Sequence, residues 1–219
     1  SMLNPMNRLI VKVGVENFFE TDREGIKSLI KITHLKDFMK YPRHLSRTVV
    51  PLLNAPGRIG NPEENIPDSS IVVDLLLLGK GKKNKAKASF VEKKIKQFFS
   101  KEEKQEENND FKDAIKTASD VEVINEKRKF LTAQIEDEMD QLIKKQVDSD
   151  SDRVVIVEGK DWNSGVIGID TDRLKERFLR PAIILNASSV SDYVRGSARS
   201  IPRIDIYHLI DDVEQEFLE

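Results

Sequence analysis

The sequence predicts an α/β protein in which a helical N-terminal part and a long connecting helix lead to a small mixed β-sheet domain flanked by helices. Apolar residues recur at steps of three and four between residues 7 and 35, and again over about seven turns between 120 and 147. Two short apolar runs, 154–157 and 181–185, enclose a segment of helical pattern. Strand, helix and strand in that order form a parallel crossover unit.

The N-terminal part is predicted to be helical with one loop. Residues 7–35 contain two short amphipathic helices, interrupted near Gly14 and at Thr21 and Asp22. Prolines, glycines and asparagines concentrated in residues 51–67 predict a rigid loop. Residues 71–78 then form a buried helix, which Ser69 and Ser70 cap and Gly79 ends.

The middle of the chain changes composition twice. Residues 79–119 begin lysine-rich and contain an acidic stretch at 102–110, so we expect a charged insert or linker that is partly disordered. The acidic stretch would be disordered or a solvated surface excursion, and residues 90–99 could still form one amphipathic helix. A long connecting helix with one buried seam follows over 120–147. The seam residues are Ile124, Leu131, Ile135, Met139, Leu142 and Val147.

The C-terminal part is predicted to start an α/β layer. The continuous apolar run 154–157 is typical of a strand covered on both faces. Further elements are a helix at 165–178, a strand at 181–185, a short strand at 193–194 and a closing helix at 204–217. The expected organisation is a helical segment (1–78), a charged insert (79–119), a connecting helix (120–147) and an α/β domain (152–219).

Composition limits the classes of function. The 36 Lys and Arg against 38 Asp and Glu give a net charge of -2, so any phosphate site must be local. Absence of cysteine excludes disulfides, thiolate metal sites and thiol nucleophiles. The longest apolar run, 71–78, is far short of the roughly 20 residues that a bilayer requires, so we expect no membrane partner. We expect a cytoplasmic protein, since a chain without cysteine is compatible with a reducing cytosol. No catalytic or metal-binding residue is assigned in this chain.

Two places could hold an anion. Residues 195–200 combine two arginines, hydroxyl groups and a glycine where the chain leaves a strand, which favours a phosphate pocket. The alternative is a turn whose arginines pair with surface carboxylates. The loop 158–165 follows a strand and precedes a helix N-terminus, which also favours an anion.

Three further side chains are candidates, each with a simpler explanation. Trp162 could stack a base or could close the core. Arg58 could be aimed at a phosphate by a proline-stiffened loop or could form an ordinary ion pair. Asn54 could contact substrate or cap a helix.

Taken together, five motifs resemble the RecJ-type exonucleases of the DHH phosphoesterase superfamily. Residues 7–14 are similar to the segment after the family's catalytic domain, and 51–58 (PLLNAPGR) to its P-x-x-N-A-x-G-R element. Residues 125–128 (NEKR) match the start of its long helix. Residues 162–169 (WNSGVIGI) with Arg173-Leu174 resemble W-H-x-G-V-I-G-I with R-L. Residues 196–200 (GSARS) match G-S-x-R-S.

The resemblance implies roles for individual residues. Gly196, Ser197 and Arg199 would hold a phosphate of the DNA strand, and Arg58 would face the nucleic-acid channel. Asn54, Trp162 and Asn163 would be possible substrate contacts. Asn163 stands where the family has histidine, so the contact that this ring makes is in question here.

The resemblance also implies an activity for the parent protein. That protein would be a metal-dependent 5′-to-3′ exonuclease on single-stranded DNA in recombination and repair, with single-strand-binding protein as a partner. Its Mn²⁺ or Mg²⁺ would bind in a domain upstream of this chain. The chain itself would be an inactive middle portion of the enzyme with an incomplete DHH-associated domain. Alternatives are a phosphodiesterase on short RNA or cyclic dinucleotides, an inactive replication scaffold, and an interaction domain unrelated to nucleic acid.

Overall fold

The computed structural model describes residues 4–35, 41–78, 90–148 and 150–218. For 90–110 and 215–218 it describes the backbone alone. The chain divides into two compact units, Ser1–Glu126 and Lys127–Glu219. The first contains helices α1 (Pro5–Phe19), α2 (Glu24–Ile32), α3 (Pro42–Ile59) and α4 (Ser70–Leu77). Helix α5 (Phe90–Gln146) begins in the first unit and ends in the second. The second also contains β1 (Val155–Lys160), α6 (Ser164–Phe178), β2 (Ala182–Ala187), β3 (Arg195–Arg199) and α7 (Ile206–Leu218).

The core of the first unit joins all four short helices to α5. The two predicted N-terminal helices are confirmed as α1 and α2, although α1 continues through Gly14. The buried helix predicted at 71–78 is confirmed as α4. Its N-terminus is capped differently from the prediction, because the Ser69 side chain makes no capping hydrogen bond. The Asp68 carboxylate instead accepts a hydrogen bond from the Ser70 amide at 2.8 Å. The buried residues of this core are Leu29, Leu35, Val49, Leu52, Val72, Leu75, Ala114, Ala118 and Val121.

The predicted rigid loop at 51–67 is wrong for its first part. Helix α3 passes through Pro51 and Pro56 and ends only at Ile59. Each interior proline removes one backbone hydrogen bond, but this segment also carries an apolar stripe at helical spacing. Its buried members are Val49, Leu52, Ala55, Pro56 and Ile59. Burial of that stripe outweighs the signal from proline.

Helix α5 is longer than predicted. It starts at Phe90, so the acidic stretch 102–110, expected to be disordered or a solvated excursion, has a helical backbone. The lysine-rich residues 79–89 lie outside the described residues. Ile124, Ile135 and Met139 of the predicted seam are buried as expected, whereas Ile143 rather than Leu142 completes it.

The second unit is a three-stranded mixed sheet in the order β1-β2-β3. Strands β1 and β2 are parallel, and β2 and β3 are antiparallel. The predicted crossover of strand, helix and strand is therefore confirmed. Gln146 at the end of α5 covers the outer edge of β1. Its side chain accepts a hydrogen bond from the Glu158 amide at 2.8 Å and donates one to the Glu158 carbonyl at 3.1 Å.

Two sheet predictions are wrong. Strand β1 is not covered on both faces, since Val155 and Val157 are buried while Ile156 is 46% exposed. The apolar run did not distinguish one covered face from two. The third strand is also placed differently, because residues 195–199, expected to follow a strand, themselves form β3. They pair with β2 through the register Ile184 to Ser197.

Candidate nucleic-acid interface

Strand β3 and helix α6 bring the predicted phosphate-binding residues together. Side chains alternate along a strand, so Arg195, Ser197 and Arg199 share one face of β3. That face is the buried face of β2, on which α6 packs. Gly168 of α6 lies against it, because a Cβ there would be 3.3 Å from Nη2 of Arg199 and 3.6 Å from Oγ of Ser197.

Arg199 is held in a defined orientation. Its Nη1 donates hydrogen bonds to Oγ of Ser197 at 3.2 Å and to the Ala198 carbonyl at 2.9 Å. Its Nε lies 3.1 Å from Oδ2 of Asp172 on α6. The side chain nevertheless remains 39% exposed. A guanidinium that is oriented by neighbours and open to solvent can bind an oxyanion with little loss of rotamer freedom.

Asp172 partly offsets the charge of this arginine. Partial burial acts to raise the pKa of Asp172, but hydrogen bonds from Arg199 and Lys175 outweigh it and hold the pKa below its ordinary value. Nζ of Lys175 lies 3.2 Å from Oδ1 of Asp172. The carboxylate is therefore ionised at neutral pH and competes with any phosphate for Arg199.

Gly196 contributes through its backbone position. It lies on the opposite face of β3, where a Cβ would be 3.0 Å from the Ile184 carbonyl oxygen and 3.2 Å from Cδ2 of Leu185. In this structure, the close approach that glycine permits is to β2. A direct contact between Gly196 and phosphate remains a prediction.

A cleft of about 370 Å³ opens at the carboxyl ends of β1 and β2. Its walls come from the start of α6, the end of β2, the following loop and Arg195. Asp161 lines it with a left-handed backbone conformation at φ 56°. Hydrogen bonds from the Ser189 side chain and amide lower the pKa of Asp161, and the amide bond measures 2.7 Å.

The position of Trp162 favours the core-closing alternative. Its side chain is 7% exposed, and its Nε1 donates to Oε2 of Glu138 at 2.6 Å. Its amide donates to Oδ1 of Asn186 at 2.9 Å, while Nδ2 of Asn186 donates to the Trp162 carbonyl at 2.7 Å. Stacking of a base requires an exposed ring face, which this tryptophan lacks.

Asn163 has a defined local role as the N-cap of α6. Its Oδ1 accepts a hydrogen bond from the Gly165 amide at 2.9 Å. Capping satisfies a backbone donor that a helix N-terminus otherwise leaves free. A substrate contact by Asn163 remains a prediction.

Arg58 and Asn54 are in the other unit. Both are exposed on α3, with Arg58 in its last turn. Since 51–59 is helical, the proline-stiffened loop that was expected to present Arg58 is replaced by a helix terminus, where a cation is favourable. Contact of either residue with nucleic acid remains a prediction.

Sequence reasoning missed Asp172, and it included Arg195 in the predicted phosphate pocket without identifying the strand face that Arg195 shares with Ser197 and Arg199. Asp172 lies four residues after Gly168 and therefore shares its helix face. Arg195 lies two residues before Ser197 and shares its strand face. Both placements follow once β3 is located correctly, because the spacing decides which side chains are neighbours.

The second unit is an α/β domain in which an edge strand presents a serine and an oriented arginine beside a helix, a geometry that is able to bind an oxyanion. The chain is 28% identical over 211 residues to the single-stranded-DNA-specific exonuclease RecJ of Bacillus subtilis strain 168. It is 26% identical over 217 residues to the RecJ of Dickeya dadantii strain 3937. These matches cover 96% and 97% of this chain but only 22% and 30% of the two relatives.

Solved RecJ structures share the fold. The crystal structure of RecJ with Mg²⁺ from Thermus thermophilus has a TM-score of 0.66 at 17% identity, covering 95% of this chain and 26% of that one. The Mn²⁺ complex from the same organism has a TM-score of 0.61 at 17% identity, covering 91% and 23%. No protein-family model matches the chain. The resemblance is confirmed: nearly all of this chain is similar, in sequence and in fold, to one part of a RecJ exonuclease.

Among the side chains that the structure describes, which exclude those of 90–110 and 215–218, no group of three His, Cys, Asp or Glu could hold a metal ion. The residues brought together on β3 and α6 therefore do not fit a metal centre. Among the helices described, none combines the length and apolar character needed to cross a membrane.

Proposed function

We propose that this chain is the strand-binding part of a RecJ-type, metal-dependent 5′-to-3′ exonuclease on single-stranded DNA, acting in recombination and repair. The observation that carries the proposal is the oriented, half-exposed guanidinium of Arg199 beside the Ser197 hydroxyl. The similarity to RecJ supports a polynucleotide as the source of the phosphate. The parent protein would act in the cytoplasm, with single-strand-binding protein as a partner.

The proposed task of the chain is to bind and orient the strand. Oxygens of one phosphate would accept hydrogen bonds from the Arg199 guanidinium and the Ser197 hydroxyl. Asp172 would keep Arg199 aligned when no strand is present. Mn²⁺ or Mg²⁺ and the hydrolytic chemistry would belong to another domain of the parent protein. Mn²⁺-dependent hydrolysis of DNA by a clean preparation of this chain would contradict that division.

Arg199→Ala is expected to weaken binding of a fluorescent single-stranded oligonucleotide about tenfold, because a charge-assisted phosphate contact contributes roughly 1 to 3 kcal/mol. Arg177→Ala is the matched control. It removes the same charge from an exposed arginine of α6, which pairs with Asp140 instead of facing β3. Anisotropy titrations at two salt concentrations measure both. Equal losses in the two variants would reduce the proposal to a non-specific charge effect.

Asp172→Asn should have the opposite effect. Removal of the competing carboxylate leaves Arg199 with its full charge, so we expect oligonucleotide affinity to rise about two- to fivefold at low salt. Asp140→Asn is the control with the same change of net charge, since Asp140 pairs with Arg177. An equal rise in both variants would indicate that Asp172 does not restrain the site.

A preference of the parent protein for oligonucleotides of a few residues over long strands would indicate a different substrate class. Such a result would favour a phosphodiesterase of the same superfamily. Length dependence of hydrolysis measures this directly.

A further inference from the structure

We propose that Arg195 and Tyr193 form a second nucleotide position, in which Arg195 binds the phosphate next to the one held at Ser197 and Arg199, and Tyr193 stacks the adjoining base in the cleft. This inference rests on the proposed function and extends it from one phosphate to two consecutive nucleotides. Three observations support it: the cleft, the absence of a protein partner for the Arg195 side chain among the described residues, and the spacing of residues along β3.

Arg195 lines the cleft with a positive charge that no neighbouring side chain neutralises among the described residues. Among the residues that the structure describes, the Arg195 side chain has no hydrogen-bond or ion-pair partner, and the residue is exposed. Arg199, by contrast, is engaged by Asp172, Ser197 and two backbone carbonyl groups. A guanidinium in a cleft without a protein partner is available to an external oxyanion.

The spacing on β3 suits a strand of nucleotides. Residues two apart on one face of a strand are about 6.6 Å apart, which is of the order of the phosphate step in an extended single strand. Arg195 and Ser197 have this spacing, and both are on the face that meets α6. A strand running along β3 would therefore bring successive phosphates to Ser197 and to Arg195.

The cleft offers a place for the base. Its volume of about 370 Å³ is within the range of small-molecule sites. Tyr193 lines it, and the residue is 81% exposed. The backbone of Tyr193 is held by a hydrogen bond from its amide to Oγ of Ser191 at 3.1 Å. Trp162, which also lines the cleft, is buried and bonded to Glu138, so Tyr193 is the aromatic ring in this cleft that has a free face.

The hydrogen-bonding groups of the cleft are compatible with this occupant. Asp161 also lines it, but hydrogen bonds from the Ser189 side chain and amide occupy both of its carboxylate oxygens. Ser164 and Ser188 supply hydroxyl groups on the walls. These groups can bond to sugar or base edges without selecting one base, as expected for a site that follows a strand of any sequence.

The test compares Arg195→Ala, Tyr193→Ala and Arg199→Ala with Arg177→Ala in the complete chain. The probes are thymidine 5′-monophosphate, a 5′-phosphorylated dithymidylate and the same dinucleotide with one abasic position, with binding followed by NMR titration. Arg195→Ala should leave monophosphate affinity within about twofold and reduce dinucleotide affinity about fivefold or more. Tyr193→Ala should reduce affinity for the dinucleotide about fivefold and leave the abasic probe unchanged.

The outcomes separate the two proposals. If Arg199→Ala weakens both probes while Arg195→Ala matches Arg177→Ala on the dinucleotide, the second position is overturned and the first phosphate site stands. Equal losses on base-containing and abasic probes would overturn the role of Tyr193. No binding of any probe by the unchanged chain would overturn both proposals. Tyr193→Phe, which keeps the ring, should restore the affinity that alanine removes.

Discussion

Asp170→Asn is expected to stabilise the second unit by up to about 4 kcal/mol at pH 8. The Asp170 side chain on α6 is fully buried, and its Oδ2 has no hydrogen-bond partner among the described residues. Its Oδ1 lies 3.4 Å from Nη1 of Arg173, which also pairs with Glu136. Burial raises the pKa of Asp170 to about 7, although the charge of Arg128 opposes this. Ionisation of the native carboxyl above pH 7 therefore costs free energy that asparagine avoids.

The effect of Asp170→Asn on the free energy of unfolding depends on pH through the ionisation of Asp170. Between pH 3.8 and about 7 the native state binds more protons at Asp170 than the unfolded state does. The free energy of unfolding of the unsubstituted chain therefore falls as pH rises through this range. The gain from asparagine should therefore be near zero at about pH 3.8, under about 2 kcal/mol at pH 5, and largest above pH 7. Urea unfolding followed by the fluorescence of Trp162, which lies in the same unit, measures the difference in free energy of unfolding between the variant and the unsubstituted chain.

Asp172→Asn is the matched control in the same helix. Its carboxylate is 48% exposed and its pKa lies below the ordinary value, so loss of this charge should destabilise slightly or have no effect at pH 8. A gain from Asp170→Asn that is the same at pH 5 and pH 8 would show that ionisation of Asp170 is not its cause.

Gly25→Ala is expected to destabilise the first unit by about 3 kcal/mol. Helix α2 approaches α4 at this glycine, where a Cβ would overlap the carbonyl oxygen of Leu75 and lie 2.8 Å from its carbonyl carbon. Both are backbone atoms, so the overlap is relieved only by a shift of one helix against the other. Because Leu29 and Leu75 are fully buried in the same core, such a shift would disturb its packing.

Gly14→Ala is the corresponding control. A Cβ at Gly14 of α1 would meet nothing within 4 Å, so alanine should stabilise the helix by up to about 1 kcal/mol. Thermal unfolding followed by far-ultraviolet circular dichroism compares the two variants. Equal midpoints for Gly25→Ala and Gly14→Ala would show that α2 and α4 tolerate a wider separation than the structure indicates.

Local periodicity was sufficient for most of the fold. Helices α1, α2 and α4 and the crossover of β1, α6 and β2 were predicted because each has its own spacing of apolar residues. Helix α3 was missed because Pro51 and Pro56 are strong signals for a loop on their own. Only the buried positions around them, which depend on other helices, show that the segment is helical.

The candidate site was predicted in part. Ser197 and Arg199 were predicted as part of an anion pocket, but the sequence placed them after a strand instead of within one and did not identify Asp172 beside them. The choice between base stacking and core closure for Trp162 depended equally on tertiary structure, since its hydrogen bonds to Glu138 and Asn186 join residues 24 positions apart in the chain. A residue's partners across such distances are set by packing and register, which spacing along the chain does not encode.

The sequence by itself determined helices α1, α2 and α4, the crossover of β1, α6 and β2, the local cluster of arginine and hydroxyl groups, and the similarity to RecJ exonucleases. Tertiary structure alone decided that one face of β3 meets α6 at Gly168, that Asp172 restrains Arg199, and that Arg195 is left open in a cleft. The reason is physical: alternation along a strand and the repeat of a helix tell which residues share a face. Only the packing of strand against helix selects which face is buried and which side chains meet there.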